Sequence, residues 1–260
     1  MQLKVTYKIA RILFFLLCFW QLSPVFANDD SEQLFARGNN LFAKSRYKEA
    51  ADTWLKIVQA GHRSASLYYN LGNAFYRTGD IPSALLYYEK AHKLDPGDED
   101  IIFNIQVANL RTTDKMEAVP EFFIFRWWRG FILLFSLNTL AVLSIIFFIL
   151  GCSSLIFYLF AGSVSLKKAT FFPGVFLLLF AFTTLFMANR QAHYFSLQRE
   201  AIIFSGSVTA KSEPDDVSKA VFVIHSGSKV DITGKEGDWM KIRLPNGNSG
   251  WIRSSAAREI

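Results

Sequence analysis

The sequence predicts a multi-domain chain: an α-helical solenoid, two transmembrane helices and a small C-terminal all-β barrel. Three observations lead to this prediction. Residues 31 to about 115 repeat with a period of 34, the middle third contains two long apolar runs, and short alternating strands follow from about residue 207. Because these three regions differ in hydrophobic period, they are expected to fold as separate units.

Composition and charge narrow the class of protein. Phe accounts for 26 of the 260 residues and charged residues for only 19%, below the ~25% usual for soluble domains. The net charge of +6 comes mainly from the N-terminus and the flanks of the apolar runs, since residues 28–118 carry 11 basic and 13 acidic groups. A nucleic-acid-binding domain needs a basic patch of its own, so no nucleic-acid partner is expected.

The N-terminal segment, residues 1–27, has the plan of an export signal. Three basic residues precede the apolar core Ile12–Trp20, and Ala27 offers a small residue for cleavage. The core is too short to span a membrane stably, although an uncleaved anchor is the alternative interpretation. Export would place the following residues outside the cytoplasm.

Residues 28–118 are interpreted as helical repeats. Gly38 is followed 34 positions later by Gly72, and Trp54 by Tyr88. The second copy resembles the tetratricopeptide repeat, whose period is 34 residues. The residues that carry the resemblance are Tyr68, Leu71, Gly72, Phe75, Gly79, Ala84, Tyr88, Ala91 and Pro96. A third copy stops early, so its helix is interpreted as the cap that a solenoid requires.

The resemblance implies a concave face that binds extended peptides. Its candidate binding residues are Asn39, Phe42, Tyr69, Asn70, Asn73, Tyr76 and Arg77. Amide side chains at one-repeat spacing can donate to and accept from a peptide backbone. The alternative is that these are ordinary exposed polar groups and core aromatics. Phe35 and Asp100 replace two lysines of the family's carboxylate clamp, which argues against recognition of a C-terminal acidic tail.

The middle of the chain is predicted to cross a membrane twice. The uncharged stretch Phe131–Ala161 would be roughly 46 Å long as a helix, which exceeds the ~30 Å hydrocarbon core. The polar break Ser136–Thr139 should therefore divide it into an interfacial helix over 119–136 and a span over 137–161. A soluble helical core is the disfavoured alternative, because no charge interrupts the span.

The second span is predicted over 170–189, after a cytoplasmic loop over 162–169. Pro173 is expected in the first turn of that span, where a missing N–H is tolerated. Lys167 and Lys168 in the loop agree with a cytoplasmic position.

A linker over 190–206 is expected to lead to a barrel of five to six strands at 207–260. Four segments resemble the bacterial SH3 domain: Gly227–Val230, Gly237–Ile242, Pro245–Gly247 and Gly250–Ile252. Trp239 and Trp251 could present aromatic faces to a ligand, or could equally be partly buried packing residues.

No catalytic or metal-binding pattern is present in the sequence. The four His are scattered, and the only cysteines are Cys18 and Cys152. We therefore expect neither an enzyme nor a bound cofactor or metal.

The order of segments resembles the BatE family of aerotolerance-operon membrane proteins, with the closest agreement at Leu71–Asp80 and Trp127–Gly130. The resemblance implies a scaffold in the bacterial inner membrane, with both soluble domains in the periplasm. Its implied partners are von Willebrand-type membrane proteins and a MoxR-type ATPase. The alternative function is a peptidoglycan-binding anchor or envelope stress sensor acting through the SH3 domain.

Overall fold

A computed structural model describes residues 30–115 and 122–260, so the predicted export signal lies outside the described residues. The described part contains eight α-helices and one seven-stranded antiparallel sheet. The helices are α1 Asp30–Ala43, α2 Tyr47–Gln59, α3 Ala65–Thr78, α4 Ile81–Leu94, α5 Glu99–Asn109, α6 Phe123–Ile132, α7 Leu137–Phe160 and α8 Val164–Leu197.

The sheet forms the C-terminal module. Its strands are β1 Glu200–Ile203, β2 Ser207–Lys211, β3 Ala220–His225, β4 Lys229–Glu236, β5 Trp239–Arg243, β6 Ser249–Arg253 and β7 Ala257–Glu259. Their spatial order is β3-β2-β6-β5-β4-β1-β7. The predicted fold class is confirmed: a helical repeat region, two long apolar helices and a C-terminal SH3-like sheet follow one another.

The solenoid consists of the pairs α1/α2 and α3/α4 followed by α5. In each pair, a glycine of the first helix packs against an aromatic ring of the second helix. A Cβ on Gly38 would lie 2.6 Å from Trp54 Cδ1, and a Cβ on Gly72 would lie 2.5 Å from Tyr88 Cε1. The equal geometry of the two contacts explains why the repeat requires a residue without a side chain at this position.

The turns of the second pair follow from local capping. Gly79 ends α3 in the left-handed conformation, with φ +83°. Asp80 then caps α4, because its carboxylate accepts a hydrogen bond from the Ser83 amide at 3.1 Å.

Two of the described helices, α7 and α8, are long and apolar enough to cross a membrane. Ser136 caps α7 by accepting a hydrogen bond from the Thr139 amide at 3.3 Å, as the polar break predicts. The two helices pack closely where a Cβ on Gly151 would meet Leu178 at 2.9 Å. Large apolar side chains remain exposed along both helices, which suggests a membrane protein.

Helix α8 is longer than the predicted second span. It begins inside the predicted loop and continues through Leu197 into the predicted linker. The expectation that Pro173 lies in a first turn is therefore wrong, because Pro173 is inside the helix. The Ser154 hydroxyl of α7 donates a hydrogen bond to the Thr170 carbonyl at 2.7 Å. This carbonyl lies in the turn whose hydrogen bonding Pro173 interrupts, so a neighbouring helix supplies a donor there.

The barrel has more strands than the five to six expected. β1 lies within the predicted linker, and β7 pairs with it at the edge of the sheet. The core contains the inward-facing residues of β5, Met240 and Ile242, at 2% and 0% exposure. The alternating pattern of β5 correctly predicts that Met240 and Ile242 face the core.

Candidate functional site

The exposed face of α1, α3 and α5 brings together residues that lie one repeat apart. Three rows of equivalent positions follow from the 34-residue period: Phe35, Tyr69 and Phe103; Asn70 and Asn104; Phe42, Tyr76 and Leu110. We call this surface the groove. Every predicted binding residue of the solenoid lies on α1 or α3, so α5 is an additional wall of the groove.

Two amide hydrogen bonds connect the helices that line the groove. Asn70 Nδ2 donates to Asn39 Oδ1 at 3.2 Å, and Asn104 Nδ2 donates to Asn73 Oδ1 at 3.1 Å. Both bonds join residues 31 positions apart, so the same contact recurs from α1 to α3 and from α3 to α5. The predicted asparagines therefore connect successive repeats.

Asn73 is the most constrained of these asparagines. Its Oδ1 also accepts a hydrogen bond from the Tyr88 hydroxyl at 2.7 Å. Tyr88 is only 2% exposed, and burial raises the pKa of its hydroxyl, which therefore stays protonated as a donor. Asn104 also donates to the Tyr69 hydroxyl at 3.1 Å. Asn73 thus stabilises the groove by bonding to both α4 and α5.

The aromatic candidates are partly buried in the solenoid. Phe42 packs against Tyr47 and Trp54, with ring centroids 5.0 Å and 5.9 Å apart. Tyr69 and Tyr76 contact the cluster around α4. Each of these rings therefore combines core packing with partial exposure to the groove.

Two arginines occupy one lip of the groove. Arg77 lies over the Tyr47 ring at 5.5 Å, and Arg111 lies over the Tyr76 ring at 4.7 Å. Arg111 was not predicted, although it follows Arg77 by 34 positions. Three further residues of this segment were not predicted either, because the segment was interpreted only as a cap: Phe103, Asn104 and Leu110.

The barrel packs directly on the solenoid through β1, which is buried on both faces. Ala201 and Ile203 contribute to the barrel core, whereas Ile202 packs among residues of α4 and α5. The solenoid partners of Ile202 in this cluster are Ala84, Leu85, Leu86, Tyr88 and Ala108. The alternating side chains of one strand thus serve two hydrophobic cores.

Charged side chains surround this apolar contact. Lys229 Nζ lies 2.8 Å from Glu89 Oε2 and 3.0 Å from Glu200 Oε1. Burial alone would lower the pKa of Lys229, but the two carboxylates raise it above its ordinary value. The lysine therefore remains charged, and it joins α4 of the solenoid to the barrel.

A second polar contact joins the end of the solenoid to the barrel. Asp114 accepts hydrogen bonds from the His225 amide at 2.7 Å and the Ser228 hydroxyl at 2.7 Å, and its other oxygen lies 2.8 Å from His225 Nδ1. Burial alone would raise the pKa of Asp114, but the hydrogen bonds from Ser228 and His225 hold it below its ordinary value. This contact stabilises docking above about pH 4 and weakens as the pH falls further.

The two tryptophans of the barrel differ in accessibility. Trp239 is 8% exposed, and the Arg253 guanidinium lies 4.3 Å from its ring centroid. Trp251 is half-buried, with Lys241 Nζ 5.8 Å from its ring centroid. Trp251 is thus the more accessible of the two predicted ligand-facing rings.

Together, the fold and these surfaces define a class of protein: a helical-repeat module docked on a β-barrel, with two candidate membrane helices between them. The tetratricopeptide repeat family matches residues 65–98, and the bacterial SH3 domain family matches residues 206–257. No curated protein matches the chain. The docking strand β1 precedes the matched SH3 region.

The two matched families indicate a coarse function. Tetratricopeptide repeats mediate protein–protein interactions, and bacterial SH3 domains suggest binding to the cell wall. Both are typically non-catalytic interaction domains. In residues 30–115 and 122–260, no three His, Cys, Asp or Glu side chains are grouped so that they could hold a metal ion.

Proposed function

We propose that the protein is a non-enzymatic scaffold of the cell envelope that docks a partner protein in the groove. One observation carries this proposal. The barrel packs on α4 and on the C-terminal end of α5, whereas, among the described residues, the face formed by α1, α3 and Phe103 is exposed and presents amide, aromatic and guanidinium groups. A free face of this chemistry suits an extended polypeptide, whose backbone needs both donors and acceptors.

The resemblance to the BatE family supplies the cellular context of this proposal. By that resemblance, the scaffold belongs to an aerotolerance-related complex with von Willebrand-type membrane proteins and a MoxR-type ATPase. It is proposed to reside in the bacterial inner membrane, with the solenoid and the barrel in the periplasm.

The contact between solenoid and barrel supports this topology. Glu89 and Lys229 lie on opposite sides of the two candidate spans in sequence, yet they form an ion pair. Two modules in direct contact must lie on the same side of a membrane, so an even number of crossings must separate them. The hairpin of α7 and α8 meets that requirement.

Cysteine labelling in intact cells tests the topology. In a chain lacking Cys18 and Cys152, single cysteines at Lys56 and Val217 should react with a membrane-impermeant maleimide. A cysteine at Lys168, near the start of α8 in the predicted cytoplasmic loop, should react only after the cells are permeabilised. Labelling of Lys168→Cys in intact cells, with protection of the other two, would reverse the proposed orientation.

Crosslinking in native membranes tests the docking role. Replacing Asn39, Arg77 and Phe103 together by alanine should reduce the recovered partner about tenfold, because three exposed contacts are removed from the groove. Asn73 is left unchanged, since its loss would strand the buried Tyr88 hydroxyl and destabilise the solenoid.

A matched control lies on α2, outside the groove. Replacing Lys48, Asp52 and Lys56 by alanine also removes three exposed side chains, and it changes the net charge by the same −1. This variant should keep the partner. Equal recovery with both variants would contradict docking in the groove.

A second candidate function is attachment to peptidoglycan through the barrel. The observation that favours it is the bacterial SH3 match over residues 206–257. The partly exposed Trp251 beside Lys241 could stack on a sugar or peptide group of the wall and attract its carboxylates.

Retention of the full chain on purified sacculi tests this function. Trp251→Ala should lower retention severalfold and leave partner recovery unchanged, whereas Phe103→Ala should do the reverse. Because each variant is the control for the other assay, the two functions are separated in one set of proteins. Retention that is insensitive to Trp251 would count against a wall-binding site at this ring.

A further inference from the structure

The two arginines of the groove are held in similar surroundings. Arg77 and Arg111 are one repeat apart, and each reaches back to a tyrosine of the preceding helical pair. Both side chains are exposed. Stacking on a ring uses the flat face of a guanidinium and leaves its N–H edge available for hydrogen bonds to an anion.

Within the described part of the chain, these arginines have no acidic partner. Among the described residues, neither Arg77 nor Arg111 forms an ion pair with a carboxylate. Among the helices that line the groove, α1 and α5 carry acidic residues in their first turns, at the opposite end from the arginines, whereas α3 carries none there. The arginine end of the groove is therefore its basic lip.

Two exposed apolar residues belong to the α5 segment: Phe103 lies on the helix, and Leu110 directly precedes Arg111 and also borders the cavity where the end of the solenoid meets the barrel. Phe103 is 62% exposed and Leu110 is 76% exposed, although their equivalents Tyr69 and Tyr76 are half-buried. Large exposed apolar side chains next to unpaired guanidinium groups are a typical composition of a protein-binding surface. An extended partner segment with more than one apolar side chain could remove both Phe103 and Leu110 from water.

We propose that the groove binds an extended segment of a partner protein in which apolar and acidic residues occur together. Its apolar side chains pack on Phe103 and Leu110, and its carboxylates bind Arg77 and Arg111 along the basic lip. This inference rests on the proposed docking function and names the chemistry of the docked partner. Charge complementarity is the argument for an acidic segment, since a basic one would meet uncompensated guanidinium groups.

Selection from a random library tests the chemistry without knowledge of the partner. The full chain in lipid nanodiscs is used to select phage-displayed dodecapeptides, after removal of phage that bind empty nanodiscs. We expect the enriched peptides to exceed the library in Asp and Glu and to contain apolar residues. Their affinity, measured by fluorescence anisotropy on synthetic copies, should fall as salt increases.

Three variants locate the contact on the selected peptides. R77Q/R111Q should weaken binding about tenfold or more, as expected for the loss of two charge-assisted hydrogen bonds. R77K/R111K keeps both charges and should bind with intermediate affinity, because lysine lacks the planar fork of arginine. K48Q/K56Q removes the same charge from α2 and should bind like the wild type.

The outcomes separate this inference from the proposed function. Enriched peptides that are basic or neutral, or that bind R77Q/R111Q and the wild type equally, overturn the acidic partner. If such peptides still lose binding with Phe103→Ala, the groove remains the docking face. If Phe103→Ala and R77Q/R111Q are both without effect, both proposals fail. The salt dependence of the wild type gives an independent reading should R77Q/R111Q be unstable.

Discussion

Ile202→Asp is expected to separate the barrel from the solenoid while leaving the barrel folded. Ile202 is 0% exposed and packs among apolar residues of α4 and α5. A carboxylate placed there would be buried beside Glu200, and its cross-strand neighbour Lys229 is already shared by Glu89 and Glu200, so we expect a cost of about 3 kcal/mol or more. Ala201 and Ile203 contribute to the barrel core, so the barrel should keep its own packing.

Electron–electron distance measurements between spin labels test this separation. In a chain that lacks Cys18 and Cys152, labels at Lys56→Cys in the solenoid and Val217→Cys in the barrel should give one narrow distance distribution. Ile202→Asp should broaden that distribution. Val223→Asp is the matched control, because Val223 is 53% exposed and a carboxylate there remains hydrated. A narrow distribution in the Ile202→Asp chain would show that the β1 contact does not hold the modules together.

Gly72→Ala is expected to destabilise the solenoid strongly. Its Cβ would lie 2.5 Å from Tyr88 Cε1, and Tyr88 is buried, with its hydroxyl bonded to Asn73. The ring can move only by breaking that hydrogen bond or by entering the apolar cluster that holds Ile202. Overpacking of this kind costs about 3 kcal/mol.

Hydrogen exchange measured on peptides from α3 and α4 reports this loss of stability. Exchange should accelerate by about two orders of magnitude, which corresponds to roughly 3 kcal/mol of local opening free energy. Gly206→Ala is the control, since a Cβ at this position would meet nothing within 4 Å. The free energy of unfolding of this variant should change by less than about 0.5 kcal/mol. Unchanged protection of α3 and α4 in Gly72→Ala would mean that the ring relaxes freely.

Local and periodic features of this chain could be predicted from sequence. The contact of Gly72 with Tyr88, the cap at Asp80 and the break at Ser136 each follow from neighbouring residues or from the 34-residue period. The exception among the periodic features is α5. Because α5 was interpreted only as a cap, Arg111 was not predicted, although the period that places Arg77 in the groove also places Arg111 there.

Contacts between the modules could not be predicted. Lys229 and Glu89 are 140 positions apart, and no periodicity connects them. β1 was not predicted for a physical reason. Its short sequence does not alternate between polar and apolar residues, because the solenoid buries the face that would otherwise be exposed to water. A strand covered on both sides loses the period-two signal by which strands are recognised.

The connection between α8 and β1 has a mechanical consequence. Only Gln198 and Arg199 separate the second candidate membrane helix from the docking strand, and the Arg199 carbonyl accepts a hydrogen bond from the Ile232 amide at 2.6 Å. The connection is therefore short and held in place by a backbone hydrogen bond. Transmembrane helices adjust their tilt to the thickness of the surrounding bilayer, and a change in the tilt of α8 would swing the barrel and the attached solenoid with it. In a bilayer, the orientation of the groove would therefore depend on the membrane thickness as well as on the protein.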